Sequence, residues 1–283
     1  MPEFVRIFEM GPRDGLQNEA AMIATADKVA LVDRLSDCGF DHIEVTSFVS
    51  PKWVPQMADA AEVLAGIKRK AGVAYTALTP NMRGYERARA AGASGVAIFG
   101  SASEGFSQAN INCSIAESLA RFRPLVAAAL RDGIPVRGYV SCVVECPYDG
   151  VVQPEAVLRV AADLLEMGCY EVSLGDTIGA GVPDTVSAML DAVLAVVPAG
   201  KLAGHFHDTN GRAVENIEVS LDAGLRVFDA AIGGLGGCPY APGAAGNVDT
   251  LAVARRVEAL GFETGLDRAR LEEVAEFAKG LVG

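Results

Sequence analysis

Along this chain an amphipathic stretch repeatedly runs into a glycine and then into a short, β-rich apolar segment. Gly39 precedes His42–Phe48, Gly72 precedes Val73–Leu78, Gly92 precedes Val96–Phe99 and Gly133 precedes Val136–Cys142. Gly168 precedes Tyr170–Leu174, Gly200 precedes Leu202–His207 and Gly224 precedes Val227–Ala231. A glycine just past a helix end supplies the left-handed cap that turns the chain toward a strand. The opening run Phe4–Glu9 needs no preceding helix and brings the strand count to eight. Between the strands, Thr25 opens a helix over Ala26–Ser36, and Ser114 with Glu117 forms a capping-box pattern before Leu119–Leu130. Pro80, Pro154 and Pro183 each stand where a first helical turn would begin. Eight strand–helix alternations within about 250 residues match a (β/α)8 barrel. The rival is an open doubly wound sheet, but Gly11-Pro-Arg-Asp-Gly15 after the first strand is not a dinucleotide fingerprint. The expected fold is therefore a TIM barrel spanning 1–283 as a single catalytic domain. Residues 233–247 form a glycine-rich lid loop and 265–283 a C-terminal helical extension, with an amphipathic helix over Asp267–Lys279.

The bulk properties remove several function classes. At 283 residues and 51% hydrophobic the chain has an ample core. A net charge of −12 without clustered Lys and Arg argues against nucleic acid. No apolar run approaches the roughly 18 residues a membrane span needs, and Met1-Pro-Glu-Phe4 lacks a basic start followed by an apolar stretch. Six sparse cysteines suit reduced thiols in a cytoplasm. Cys142 and Cys146 do not have zinc-ribbon spacing and read as structural.

Barrel enzymes place their chemistry at the C-terminal ends of the strands. There the sequence puts Arg13, Asp14 and Gln17 after strand one, Glu44 and Ser47 on strand two, Glu145 after strand five, and Asp176 and Thr177 after strand six. His205 and His207 close strand seven. They are two of only three histidines, and at i and i+2 on a strand they face the same side while Phe206 faces the other. Two neutral imidazoles with a carboxylate such as Asp14, and an amide oxygen from Asn247, make a nitrogen/oxygen set suited to Mg²⁺ or Mn²⁺. Taken alone, Asp14 also reads as a turn or N-cap aspartate, Asn247 as a helix cap for Val248 onward, and Asp208 as an orienting group. The glycine-bordered segment around Cys238 reads as a lid whose thiol acts as acid or base, as an inert loop thiol, or as a phosphate cradle.

Four strings carry a resemblance. Glu9-Met-Gly-Pro-Arg-Asp-Gly-Leu-Gln-Asn18, Val45-Thr-Ser-Phe-Val-Ser-Pro-Lys-Trp-Val-Pro-Gln56, Ser173-Leu-Gly-Asp-Thr-Ile-Gly179 and Gly234-Leu-Gly-Gly-Cys-Pro-Tyr-Ala241 resemble the 3-hydroxy-3-methylglutaryl-CoA lyase family, from about residue 4 to residue 280. The second and fourth are specific to these lyases. Arg-Asp-Gly and His-x-His are shared with a wider superfamily that includes isopropylmalate and homocitrate synthases and pyruvate carboxyltransferase domains. The resemblance implies divalent-metal-dependent cleavage of (S)-3-hydroxy-3-methylglutaryl-CoA to acetyl-CoA and acetoacetate, with CoA as part of the substrate. It implies Asp14, His205, His207 and Asn247 as metal ligands. Arg13, Glu44, Asp176 and Cys238 resemble catalytic residues, and Arg13, Gln17 and Ser173 are assigned to substrate binding. The resemblance implies a homodimer; the missing transit peptide fits a bacterial cytoplasmic enzyme, and without the C-terminal regulatory cysteine no thiol regulation through it is expected. The alternatives are a lyase for an isohexenyl-branched glutaryl-CoA, a condensing synthase using acetyl-CoA and a 2-oxo acid, or a non-catalytic binding barrel.

Overall fold

The computed structural model describes residues 3–238 and 241–282, with the backbone alone at 237, 238 and 241–245. Eight parallel strands close into a barrel: β1 (Arg6–Glu9), β2 (His42–Ser47), β3 (Ala74–Leu78), β4 (Gly95–Ser101), β5 (Val136–Ser141), β8 (Glu171–Asp176), β9 (Leu202–Phe206) and β10 (Val227–Ala230). Two short antiparallel hairpins lie outside it, β6 (Glu145–Cys146) with β7 (Gly150–Val151), and β11 (Gly237–Cys238) with β12 (Ala241–Ala245). The helices that cross back between strands are α1 (Thr25–Ser36), α2 (Ala60–Gly66), α3 (Met82–Ala90), α4 (Glu104–Ile111), α5 (Ile115–Arg131), α6 (Pro154–Met167), α7 (Pro183–Leu194), α8 (Ala213–Asp222) and α9 (Thr250–Ala259). A final helix, α10 (Arg268–Val282), packs on α1 and α9. Closure is made by β1, which pairs in register with β10 on one side and meets β2 on the other. No helix among the described residues is long and apolar enough to cross a membrane.

The eight strands coincide with the eight expected from the glycine cadence, and the reason is local. Gly39, Gly72, Gly92, Gly133, Gly168 and Gly224 all take positive φ where a helix gives way to a strand. Gly200 does not: it sits inside a short 3-10 turn, Ala199–Lys201, that leads directly into β9. Pro154 and Pro183 open α6 and α7 as expected. Pro80 lies two residues before α3, because Asn81 takes the cap and accepts from the Gly84 amide at 2.9 Å. Ser114 and Glu117 form the expected capping box on α5. Thr25 lies inside the first turn of α1 and gives its hydroxyl to Asp59 at 2.8 Å.

Because helices cover the outside of the sheet, the strands are buried on both faces, and β8 has no exposed residue. The outer core lies between strands and helices, while Phe8, Met10, Leu78, Ala97 and Tyr139 fill a separate cluster inside the barrel. Each fully buried Leu or Phe in these layers contributes about 1.5–3 kcal/mol.

Glu9 ends β1 with its carboxylate entirely buried. It accepts from the amides of Gly11 (2.8 Å) and Ile232 (2.9 Å) and from the Thr250 hydroxyl (2.8 Å), joining β1 to the segments that follow β10. Burial pushes its pKa up to about 7 in spite of these three donors. In the unfolded chain the same group ionises near 4.5. Its contribution to stability is therefore complete below that value and is lost as pH rises through about 7. Glu9→Gln keeps the shape and removes the titration. Urea midpoints of the wild type should fall more steeply than those of the variant between about pH 5 and pH 8; parallel profiles would mean that another group sets the slope.

Candidate active site

The C-terminal mouth of the barrel opens into a cavity of about 310 Å³. Its polar floor is formed by Arg13, Asp14, His205, His207 and Asn247, and its apolar wall by Val49, Val54, Leu78, Phe99 and Phe106.

Asp14 and Arg13 are presented by an unusual turn. After β1 the chain makes one π-helical turn, Gly11–Gly15, in which the Gly15 amide donates to Met10 O (3.2 Å) and Leu16 to Gly11 O (3.0 Å). Such single wide turns recur at functional sites because the extra residue re-aims neighbouring side chains. Here it turns both charged side chains into the mouth. The turn is held from above by close backbone approach. Gly236, at φ 101°, lies so near that a side chain there would meet the Asn247 amide at 3.0 Å and Gly15 Cα at 3.3 Å.

His205 and His207 face the same side at the end of β9, while Phe206 points into the core. Each imidazole Nε2 lies 3.8 Å from Asp14 Oδ2, and donor atoms of the three residues fall within 4.8 Å of one another. The Nδ1 of His205 meets Asp229 Oδ2 at 3.1 Å. That contact favours a proton on Nδ1, and in the neutral ring it leaves the Nε2 lone pair for a metal, the tautomer a ligand requires. Burial would push Asp14 up, but Arg13 and the two histidines hold it well below the usual carboxylate range. Asp14 is thus ionised, the His205 imidazole is oriented by Asp229, and the three residues suit a divalent cation. Asn247 is brought in by a backbone bridge to His207. It turns its amide nitrogen to Asp14 Oδ2 (2.9 Å) and to Leu235 O (3.3 Å), so ligation through its oxygen requires the amide to turn over. It does not cap a helix, since α9 begins at Thr250.

The remaining expected residues separate into those that line the cavity and those that act from behind it. Arg13 donates through Nε to Glu44 and through Nη1 to Asp14. Gln17 donates to Asp14 Oδ1 at 2.9 Å, and Ser173 donates to Asp229 Oδ2 at 2.8 Å; both line the cavity. Glu44 is buried beneath Arg13 and also accepts from the Tyr139 hydroxyl at 2.8 Å. Asp176 is spent on the loop after β8, accepting from the amides of Ala180 (3.1 Å) and Gly181 (2.8 Å). Burial raises its pKa, and those amides partly offset the effect. It does not line the cavity. Asp208 orients the start of α8 through the Ala213 amide at 3.0 Å. Cys142 and Cys146 are buried reduced thiols, the second accepting from Ser103 at 2.8 Å. The backbone of Cys238 forms the β11–β12 ladder, and its side chain lies outside the described residues.

Three residues of the site were not singled out in the sequence. Tyr139 lines the cavity, donates to Glu44 and accepts from Arg137 at 3.2 Å. Arg137 binds Asp229 Oδ1 and Glu171 Oε1, each at 2.8 Å, and Asp229 in turn holds His205. Their signal was present: Arg137, Tyr139 and Asp229 are polar residues at alternate positions of otherwise largely apolar strands.

A closed parallel barrel with a buried Asp–His–His set suited to a cation at its C-terminal mouth has the architecture of a TIM-barrel enzyme. A family model described as HMGL-like matches residues 4–278, and the chain belongs to that family. It is 56% identical over 98% of its length, and 83% of the relative's, to a cytoplasmic 3-hydroxy-3-methylglutaryl-CoA lyase of Danio rerio. It is 54% identical over its whole length, and 94% of the relative's, to a 3-hydroxy-3-isohexenylglutaryl-CoA/hydroxy-methylglutaryl-CoA lyase of Pseudomonas aeruginosa. The crystal structure of an HMG-CoA lyase from Brucella melitensis superposes with a TM-score of 0.98 at 64% identity, covering 99% of each chain.

Asp229 lies behind His205 and outside the donor set. Removing its charge should loosen the imidazole without deleting a ligand. Asp229→Asn is expected to weaken Mn²⁺ binding by about 10–100-fold, read by EPR of free Mn²⁺, with the circular dichroism of the barrel retained. Unchanged affinity would show that His205 is held by something other than this carboxylate.

Proposed function

We propose that this chain is a lyase that cleaves (S)-3-hydroxy-3-methylglutaryl-CoA to acetyl-CoA and acetoacetate. The observation that carries the reading is a buried arginine beside an ionised Asp–His–His set on the floor of one cavity, in a chain whose relatives are lyases of this kind. Asp14, His205, His207 and, with its amide turned over, Asn247 would hold Mg²⁺ or Mn²⁺, which supplies Lewis acidity toward the substrate's hydroxyl and carboxylate oxygens.

The chain's own residues then have separate tasks. Arg13, with Nε and Nη1 committed to Glu44 and Asp14, presents the rest of its guanidinium to the thioester oxygen, where charge develops as the enolate leaves. Glu44 and Tyr139 act through Arg13 by fixing its plane. The tertiary hydroxyl gives up its proton, the C2–C3 bond breaks, a ketone forms on the acetoacetate side, and the acetyl-CoA enolate takes a proton at C2. Protons balance with no further reactant. Cys238, on the glycine-rich lid segment, is assigned to this proton traffic, and Gln17 and Ser173 to substrate positioning. Asp176 contributes by shaping the loop after β8. The cleavage is expected from a homodimer in the cytoplasm, and sedimentation of the purified protein checks the first of these.

The Pseudomonas relative's double name favours a second substrate within the same reaction, an isohexenyl-branched glutaryl-CoA lodged along the apolar wall of Val54, Leu78 and Phe99. Acetyl-CoA release from both acyl-CoAs, with and without Mg²⁺, tests both. No metal-dependent release from either would leave a binding barrel, and thiol release from acetyl-CoA with a 2-oxo acid would indicate a condensing synthase.

Arg13→Gln should lower kcat by a factor on the order of 10²–10³ while leaving Mn²⁺ affinity within a few-fold. Loss of both together would merge the two roles assigned to neighbouring residues.

A further inference from the structure

The barrel has a second opening. At the end opposite the active site lies a cavity of about 200 Å³, lined by His42, Ala74, Gly95 and Arg137, which stand at or next to the first residues of β2, β3, β4 and β5. Glu44 lies at its inner end, with its two oxygens taken by Arg13 and Tyr139. None of the chemistry assigned to the C-terminal mouth uses this space.

Arg137 has one nitrogen to spare there. Its Nε donates to Glu171 Oε1 and its Nη1 to Asp229 Oδ1, each at 2.8 Å. Nη2 is buried and has no hydrogen-bond partner among the described residues, in a residue only 3% exposed. A buried N–H without an acceptor forfeits the bonds it made to water. The side chain cannot swing away to find one, because both ion pairs fix it and its guanidinium lies over the Phe8 ring, 4.1 Å from the centroid. The acceptor has to come to Arg137, and the cavity beside it has the room. A water takes up about 30 Å³ in the liquid, so this space holds a molecule of several heavy atoms.

The walls select the chemistry of that molecule. Two hydroxyl donors stand by: Ser94 accepts from the Tyr75 amide at 3.2 Å and keeps its own proton to give, and Thr76 reaches Ile43 O only at 3.5 Å. Ala74, Val96, Ala97 and Pro135 supply apolar surface. Negative charge is disfavoured, since the single positive charge of Arg137 is already shared by Glu171 and Asp229, and Glu44 lies close behind.

We propose that the N-terminal mouth of the barrel is a second binding site, for a small uncharged molecule whose carbonyl or hydroxyl oxygen accepts from Arg137 Nη2 and whose short apolar body lies against Ala74, Val96 and Pro135. The site goes beyond the lyase reading and does not depend on it. One residue ties it to the other end of the barrel, because Arg137 also holds Asp229, and Asp229 holds His205.

Isobutyramide and isobutyrate share a shape and differ in charge, and the His42 imidazole is an NMR probe in the cavity wall, assigned by its loss in His42→Asn. On the Mg²⁺-loaded protein at fixed pH, isobutyramide should move this resonance saturably, with affinity in the millimolar range. Isobutyrate should bind there roughly tenfold more weakly, or worse. A crystal soaked in isobutyramide should place the carbonyl oxygen within about 3.2 Å of Arg137 Nη2. Ala74→Leu fills the mouth without touching Arg137, and should abolish the shift while circular dichroism and Mn²⁺ affinity stay as in the wild type. The comparison of amide with acid and the soaked crystal use the wild type, so they decide the matter even if that variant fails to fold. The site is overturned if saturating amide leaves only ordered waters on Nη2, or if isobutyrate moves His42 as strongly as the amide does. It is also overturned if the amide-induced shift survives in folded Ala74→Leu, which would put the amide elsewhere.

Discussion

The mouth of this barrel depends on two guanidinium groups buried among carboxylates. Arg13 lies between Asp14 and Glu44, and Arg137 between Glu171 and Asp229. Tyr139 joins the two halves by donating to Glu44 and accepting from Arg137. His205 closes the circuit, with Nδ1 on Asp229 and Nε2 facing Asp14. Charges taken out of water cost several kcal/mol each unless paired and hydrogen-bonded; here Arg13, Arg137, Glu44 and Asp229 each have partners on two sides, and Glu171 is paired with Arg137. Burial opposes ionisation of Asp14 and Asp229, yet their arginine and histidine neighbours hold both below the ordinary carboxylate value. The ring is consequently rigid, and a change at one member is felt at others several residues away.

Its charge is also incomplete. Asp14, Glu44, Glu171 and Asp229 contribute four negative charges, and Arg13 and Arg137 two positive ones, leaving a deficit of two among these carboxylates and guanidinium groups. A divalent cation at the Asp14–His205–His207 corner restores neutrality. The donor set is therefore suited to a metal in total charge as well as in atom type, and the tautomer set by Asp229 serves both requirements.

The parts of this arrangement visible in the sequence are those encoded over short spans. Strand positions follow from glycines that end helices, and the His-x-His face follows from strand alternation alone. Gly200 and Pro80 departed from expectation because a neighbouring short turn or a better cap took over their roles. Asn247 was weak on spacing, since its approach depends on a bridge to His207 that only the closed barrel creates. Arg137, Tyr139 and Asp229 were missed for a related reason. Read singly, each looks like an isolated polar residue in a strand, and their importance lies in pairings across the barrel, such as Arg137 with Asp229. Strand order puts Glu44 and Asp176 on the active rim and the family resemblance gives them catalytic roles, while the geometry sets both behind the cavity rather than on its surface.

The glycine-rich segment after β10 shows how a rigid ring can coexist with access to solvent. Its β11–β12 hairpin is rooted at both ends in the site: the Gly246 amide donates to Gly236 O at 2.9 Å, and the Asp208 amide donates to Gly246 O at 2.6 Å, directly after His207. Gly236 in turn lies against Gly15 and Asn247. Neither root could move far without disturbing Asp14, Asn247 or the end of β9. Glycines at the roots allow the backbone to pass this close to the ligand-bearing turn. The same closeness ties the roots of the segment to the residues that would hold the metal.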